Sequence, residues 1–404
     1  MRKISNIAIV APNSLPIPAM KGGAIESIIE NLIRENEIYK KVNFTIYSIY
    51  DNNAKKESEK YHNSIFKYIK TDTTEARIYE FFRKIIAKLT GKLINDYYIK
   101  KIFKDINRSN YDRLIIEGDK KYVSLLKKNK NKTDVYLHIH HDSLKCGNEK
   151  IINNCDKVIT VSDYIKNRTL INNKVLDSKI VSLKNAVNTE VFNKEKYKNE
   201  LNKIRKGLNI DNEDIVIGFT GRLIPEKGIK ELLLAIKNLK IPKKIKVIII
   251  GSATFGQKSK SDYEEEIKLL SNSMNKNIIY TGYIHNSNIP KINSIVDISV
   301  VPSIWEEPAG LVVLEALSLG IPLIVTDSGG ISEYINDECA ITVKRDENLI
   351  NNLSNSLEKL IMDDELRIKM SIKAREQGVK FDITKYYEDF IKIIKNNKGN
   401  KNEN

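Results

Sequence analysis

The chain has 404 residues, 41% of them hydrophobic, so it is long for one domain, comfortable for two and too apolar for wholesale disorder. Its formal charge of +15 is uneven, with 38 Lys and Arg against 24 Asp and Glu in residues 1–200 but 29 against 28 in residues 201–404. A basic first half points to an acidic partner, yet no helix-turn-helix, zinc finger or RRM-like pattern is present, which argues against nucleic acid and leaves an anionic membrane or an anionic substrate.

In chain order, Ile7 to Ala11 reads as a buried strand, and the residues before it lack signal-peptide architecture. The following loop ends in Gly22-Gly23, at the start of a helix expected over Ala24 to Arg34. Glycines there let backbone N–H groups approach an anion, although a plain strand-to-helix turn reads the same way. Val42 to Tyr47 is the next strand. Phe81 to Ile94 reads as a basic amphipathic helix, with Phe82, Ile85, Ile86, Leu89 and Leu93 on one side and Arg83, Lys84, Lys88 and Lys92 largely elsewhere. Such a helix rests on an anionic membrane or packs on a core with a solvated Lys face.

Leu114 to Glu117, Val135 to Ile139 and Val158 to Val161 are further short apolar runs, as strands of a doubly covered parallel sheet require. The second of these leads into His138, His140, His141 and Asp142. Alternation puts His138 and His140 on one face. A zinc site there would need a third ligand, and the spacing is unlike known zinc motifs. Cys146, Cys155 and Cys339 fit no zinc spacing either, so free thiols in a reducing compartment are expected. Polar residues 185–213 read as a join between domains.

The pattern then repeats, with strands expected over Ile215 to Thr220, Val247 to Ile250, Ile278 to Thr281, Ile298 to Val301 and Leu323 to Val325, and helices over Ile229 to Asn238 and Leu311 to Ser318. After the first of these strands comes Gly221-Arg222-Leu223-Ile224-Pro225-Glu226-Lys227-Gly228. Arg222 and Lys227 can neutralise a diphosphate without metal, or belong to a solvated loop. After Pro302, the run Glu306-Glu307-Pro308-Ala309-Gly310 opens a helix carrying Leu311, Val312 and Glu315. N–H groups from Gly310 to Val312 would point at an incoming phosphate, and Glu315 could accept hydrogen bonds from a ribose diol. Either Glu alone also reads as a helix cap. No stretch reaches the ~20 apolar residues of a membrane span, so the expected location is cytoplasmic, with peripheral contact at the inner membrane face.

Two runs of alternating strand and helix imply an α/β protein of two doubly wound, Rossmann-like domains, with ligands in the cleft between them. The expected boundaries are 1–190, joined by a C-terminal helix at about 384–397, then 191–383, with a disordered tail at 398–404.

Glu307 and Glu315 enclose seven residues, and this resembles the E-x7-E signature of retaining glycosyltransferases of the GT-B fold, most closely family 4, the group 1 glycosyltransferases. Gly22-Gly23 followed by Glu26, Val158 to Ser162, Asn185 to Phe192, Gly221 to Gly228, Thr281-Gly282-Tyr283 and Asp327 to Glu333 are similar, in order, to further family segments. Asn185-Ala186-Val187-Asn188 lacks the usual Gly and Asp, and Ala309 stands where an aromatic is more usual.

The resemblance implies two facing domains of the GT-B fold, the first binding the acceptor and the second the nucleotide sugar. It implies transfer of a hexose or N-acetylhexosamine, with retention, from a nucleotide sugar, by default a UDP-sugar. The acceptor would be a glycan or a lipid-linked sugar of cell-surface polysaccharide or glycoconjugate synthesis. Arg222, Lys227, Glu307 and His140 are the implied catalytic residues, with Asp142 orienting His140 or facing the acceptor. Gly22, Gly23, Tyr283, Gly310, Leu311, Val312 and Glu315 are the implied donor-binding residues. No D-x-D motif stands at a strand end, so no essential metal or other cofactor is expected. The alternatives are a non-catalytic membrane- or coat-associated nucleotide-sugar-binding protein and a nucleotide-sugar epimerase.

Overall fold

The computed structural model describes residues 4–91, 94–123, 133–252, 261–274 and 277–395. The chain divides into two compact units, Met1–Lys184 with Thr384–Asn404, and Asn185–Ile383. The expected tail at 398–404 lies outside the described residues.

In the first unit the strands are β1 (Ser5–Val10), β2 (Val42–Ile49), β3 (Ser64–Ile69), β4 (Arg113–Glu117), β5 (Asp134–Ile139), β6 (Lys157–Thr160) and β7 (Ile180–Ser182). They form one sheet in the order β3-β2-β1-β4-β5-β6-β7, every pair parallel. Ile7 pairs with Phe44 on one side and Arg113 on the other. The second unit contributes β8 (Ile215–Thr220), β9 (Ile245–Ile250), β10 (Asn277–Gly282), β11 (Ile298–Val301), β12 (Leu323–Thr326) and β13 (Ala340–Val343). Their order is β10-β9-β8-β11-β12-β13, again all parallel. Helices link the strands, so both units are doubly wound α/β folds, as the alternating pattern requires.

The strands that run as apolar stretches are buried on both faces. Ile7, Ile9 and Val10 of β1 and Ile248 and Ile249 of β9 are fully buried. The helix Ile229–Lys237 supplies Leu232, Leu233 and Ile236 to the core of the second unit. Ile383–Lys395 closes the core of the first unit, where Tyr387 Oη donates to Asn36 Oδ1 at 2.7 Å and Phe390 packs on Phe44.

Two helix expectations need correction. The first helix runs past Arg34 to Tyr39 and stops where Lys40 turns left-handed. The basic amphipathic helix is Thr74–Thr90, started by the Thr73 side chain and ended by Gly91 at φ 64°, a turn that only glycine makes cheaply. It therefore does not reach Ile94, and Lys92 and Leu93 lie outside the described residues. No described helix is long and apolar enough to cross a membrane.

Candidate functional site

Each sheet reverses its strand order once, between β1 and β4 and between β8 and β11. Loops leaving the carboxyl ends of those strands splay apart and leave room for a ligand. Most of the residues singled out from the sequence follow these strands, whereas His140 follows β5 and Tyr283 follows the edge strand β10.

In the second unit, the loop after β8 is locked to the loop after β11. Ile304 N donates to Glu226 O at 3.0 Å. Gly228, at φ 67°, lies so close to Pro302 that a Cβ there would sit 1.8 Å from its carbonyl oxygen. This clamp brings Lys227 Nζ to 2.6 Å from Glu307 Oε1 and sets it over the Trp305 ring at 5.3 Å. Glu307 is buried, and Ser303 Oγ donates to the same oxygen at 2.6 Å. Its backbone is held as firmly: Glu307 N donates to Ser328 Oγ at 3.0 Å, and Gly330 N donates to Glu307 O at 2.7 Å. Gly329 permits that approach, since a Cβ on it would lie 2.2 Å from Glu307 O.

Arg222 is exposed at the same strand end, and its side chain makes no hydrogen bond or ion pair among the described residues. It is an uncommitted cation beside a committed one. Gly310 (φ 76°) precedes the helix Leu311–Ser318, and no side chain caps that helix start. Its first N–H groups are thus open to an anion. Leu311, Val312 and Glu315 are half-buried on it. Burial pushes the Glu315 carboxyl up to about 8. Ala309 is buried. Tyr283 is exposed and lines an open hollow of about 410 Å³ with Ile284, His285, Asn288, Lys291 and Ile292.

In the first unit, Gly22 (φ 79°) and Gly23 (φ 100°) lead into the helix Ala24–Tyr39, whose start carries no side-chain cap. A Cβ on Gly23 would meet Glu26 Oε2 at 2.1 Å. Glu26 is buried in the first turn, and burial, with the Glu117 charge pushing the same way, raises its carboxyl to about 7. Glu117 ends β4 almost fully buried. Its Oε2 lies 2.6 Å from His140 Nε2 and 3.0 Å from His138 Nδ1, and the two rings are 4.2 Å apart. Strand alternation thus does place both histidines on one face. Burial pushes the Glu117 carboxyl up, but the attraction of His138 and the hydrogen bond with His140 outweigh it and hold it low. Burial and His138 hold His140 below the ordinary imidazole range, hence neutral near pH 7.

Glu117 was not singled out from the sequence, which offered Asp142 either as the residue orienting His140 or as one facing the acceptor. Asp142 instead pairs with Arg168 at 2.9 Å. Glu117 holds His140 because β4 and β5 are neighbours in parallel register, with Glu117 paired to His138. The available signal was a lone acid closing an apolar strand, which is costly to bury without a partner. Glu117, His138 and His140 have ligand atoms within 4.8 Å of one another, near enough to surround an ion. The 2.6 Å approach of Glu117 to His140 is tighter than the roughly 3.3 Å between two ligands of one tetrahedral zinc, and it matches a hydrogen bond.

Residues 201–377 match the model of the family described as glycosyl transferases group 1. Two relatives span most of the chain. YtcC of Bacillus subtilis strain 168 is 24% identical over 92% of this chain and 86% of its own length. Spore coat protein SA of the same organism is 25% identical over 82% and 83%. Among solved structures, HepE of Anabaena, in complex with UDP and glucose, superposes with a TM-score of 0.75 at 17% identity, covering 97% of this chain and 100% of that one. The fold of the whole chain is therefore that of the GT-B glycosyltransferases.

Proposed function

We propose that the chain is a retaining glycosyltransferase that takes a hexose or N-acetylhexosamine from a UDP-sugar and passes it to a glycan or lipid-linked acceptor. The observation that carries this reading is the pair of cations at the β8 end, Arg222 free and Lys227 held by Glu307, beside the uncapped helix start at Gly310. These groups suit a diphosphate, whose negative charge grows as the bond to the sugar breaks. Donors fixed in advance stabilise that charge without reorganising. On the resemblance, Tyr283 meets the base and Glu315 holds the ribose. Glu307 positions the sugar. The C1–O bond to diphosphate breaks and the bond to the acceptor oxygen forms on the same face, with the leaving phosphate taking the acceptor's proton. UDP as carrier is supported by the UDP bound to HepE, a protein of the same fold.

Two cations and a helix start supply the charge that a divalent ion gives elsewhere, so none is needed. The experiment is a thermal-shift comparison of UDP-, GDP- and ADP-sugars in EDTA and in magnesium. A UDP-sugar is expected to raise Tm by a few degrees equally in both buffers. A shift that appears only with magnesium contradicts the metal-free part, and no shift with any nucleotide sugar contradicts the donor reading.

Glu315 gives a pH dependence. Its carboxyl, raised by burial to about 8, holds a proton in the empty site at neutral pH. The carboxyl's contribution to stability is therefore fully present below the ordinary carboxylate range and declines as pH climbs toward 8. Hydrogen bonds accepted from the ribose diol favour the carboxylate, so nucleotide binding expels the proton. UDP affinity is expected to rise from about pH 6 to pH 8 and to lose that slope in Glu315→Gln. Titration calorimetry reads both, and equal slopes would remove Glu315 from the ribose.

The similarity to a spore coat protein favours a second reading, a coat-associated protein that binds a nucleotide sugar without turning it over. Release of UDP from a bound donor separates the two.

A further inference from the structure

The helix Thr74–Thr90 is inside out. It docks on its own unit through a small and polar side. Ala76 is its buried residue, Tyr97 N donates to Glu80 Oε1 at 2.8 Å, Arg83 pairs with Glu80 at 2.7 Å, and Tyr79 packs on Tyr97. Its apolar side points outward. Ile78, Phe81, Phe82, Ile85, Ile86 and Leu89 are all exposed, Phe81 by 62% and Leu89 by 80%. At 3.6 residues per turn they share one arc of roughly 140°. Arg77, Lys84 and Lys88 flank that arc, exposed, and among the described residues none of the three makes an ion pair. Six contiguous large apolar side chains on a surface mark a contact site rather than ordinary scatter.

The flank decides what covers it. A second copy laid on this face would bring like charges together. A neutral apolar partner would leave the cations idle. An anionic lipid surface uses both features, since apolar side chains enter the boundary between headgroups and acyl chains while cations meet the headgroups. The excess positive charge of residues 1–200 acts in the same direction. We infer that this helix lies in the plane of an anionic membrane surface, with Phe81, Phe82 and Leu89 inserted and Arg77, Lys84 and Lys88 on the headgroups. The inference is independent of glycosyl transfer, because it uses none of the donor-site residues.

The test is flotation of the full chain with phosphatidylcholine vesicles, with and without phosphatidylglycerol, at low and high salt. Wild type floats with the anionic vesicles at low salt and less so as salt rises. The pairs Phe81→Ser/Phe82→Ser and Lys84→Gln/Lys88→Gln each reduce partitioning by roughly tenfold or more, since one charge near an anionic surface contributes about fivefold. Phe82→Trp reports insertion directly as a blue-shifted emission on vesicles. All variants keep the wild-type Tm, because the replaced side chains are exposed. Failure of wild type to float at low salt overturns the proposal, as does flotation indifferent to both pairs. A wild-type dimer that Phe81→Ser/Phe82→Ser splits into monomers assigns the face to a second copy instead.

Discussion

Replacing Arg222 or Lys227 by Ala is expected to lower donor turnover about 10²–10³-fold each, the usual cost of deleting one preorganised group from a charge-stabilising site. The two variants then diverge. Lys227 is engaged at 2.6 Å with the buried Glu307, whose other side-chain partner on that carboxylate, among the described residues, is Ser303 Oγ. Removing the ammonium leaves a buried carboxylate half-satisfied, at a cost of about 1–3 kcal/mol in stability. Arg222 is exposed and unengaged, so Arg222→Ala changes stability by less than about 0.5 kcal/mol. Both variants are slow, but only Lys227→Ala melts early. A normal melt with near-normal turnover in Arg222→Ala removes that residue from the site.

Gly228→Ala is expected to carry a large structural effect for a single methyl. The residue sits at φ 67°, and the added carbon would lie 1.8 Å from Pro302 O and 2.7 Å from its carbonyl carbon. Left-handed backbone costs about 1–2 kcal/mol for a residue with a Cβ. The overlap is with main chain, so relief means moving the strand end that carries Ser303 and Glu307. A total near 3 kcal/mol follows, or roughly 6–12 °C on the melting of a unit of this size. Gly207→Ala is the control, because its Cβ meets nothing within 4 Å. Helix propensity makes that change neutral or stabilising by up to about 1 kcal/mol. Equal melting shifts for the two alanine variants would mean the β8 and β11 loops are not locked at Gly228.

The sequence showed most of the fold because most strands are buried on both faces, and such strands are plain apolar runs. The three strands it did not show, β3, β7 and β13, are all at sheet edges. An edge strand needs no double covering: β3 is Ser64-Ile65-Phe66-Lys67-Tyr68-Ile69, nowhere fully buried, and β7 is three residues long. The edge strand β10 was legible because Ile278 and Ile279 keep an apolar run. At the site, Arg222, Lys227, Glu307 and Gly310 were legible because they stand beside strand ends at the spacing of the family motifs that the sequence resembles. Three partnerships were not. Lys227 meets Glu307 across 80 positions of sequence, Glu117 meets His140 across two strands, and Ser328 supports Glu307 from the next loop. Such pairs depend on which strands are neighbours, and strand order is written in no local pattern. The orientation of the helix Thr74–Thr90 was equally hidden. Periodicity defines its two faces, but only packing shows that the apolar one is left uncovered.

The central claim is that Arg222, Lys227 and the helix start at Gly310 hold a nucleoside diphosphate. Titration calorimetry of UDP against wild type and Arg222→Ala, in EDTA at neutral pH, tests it most directly. The account predicts saturable one-site binding by wild type and an affinity at least tenfold lower in Arg222→Ala, a loss of about 1.4 kcal/mol or more. Equal affinity in the two proteins, or no binding of UDP by wild type, would contradict it.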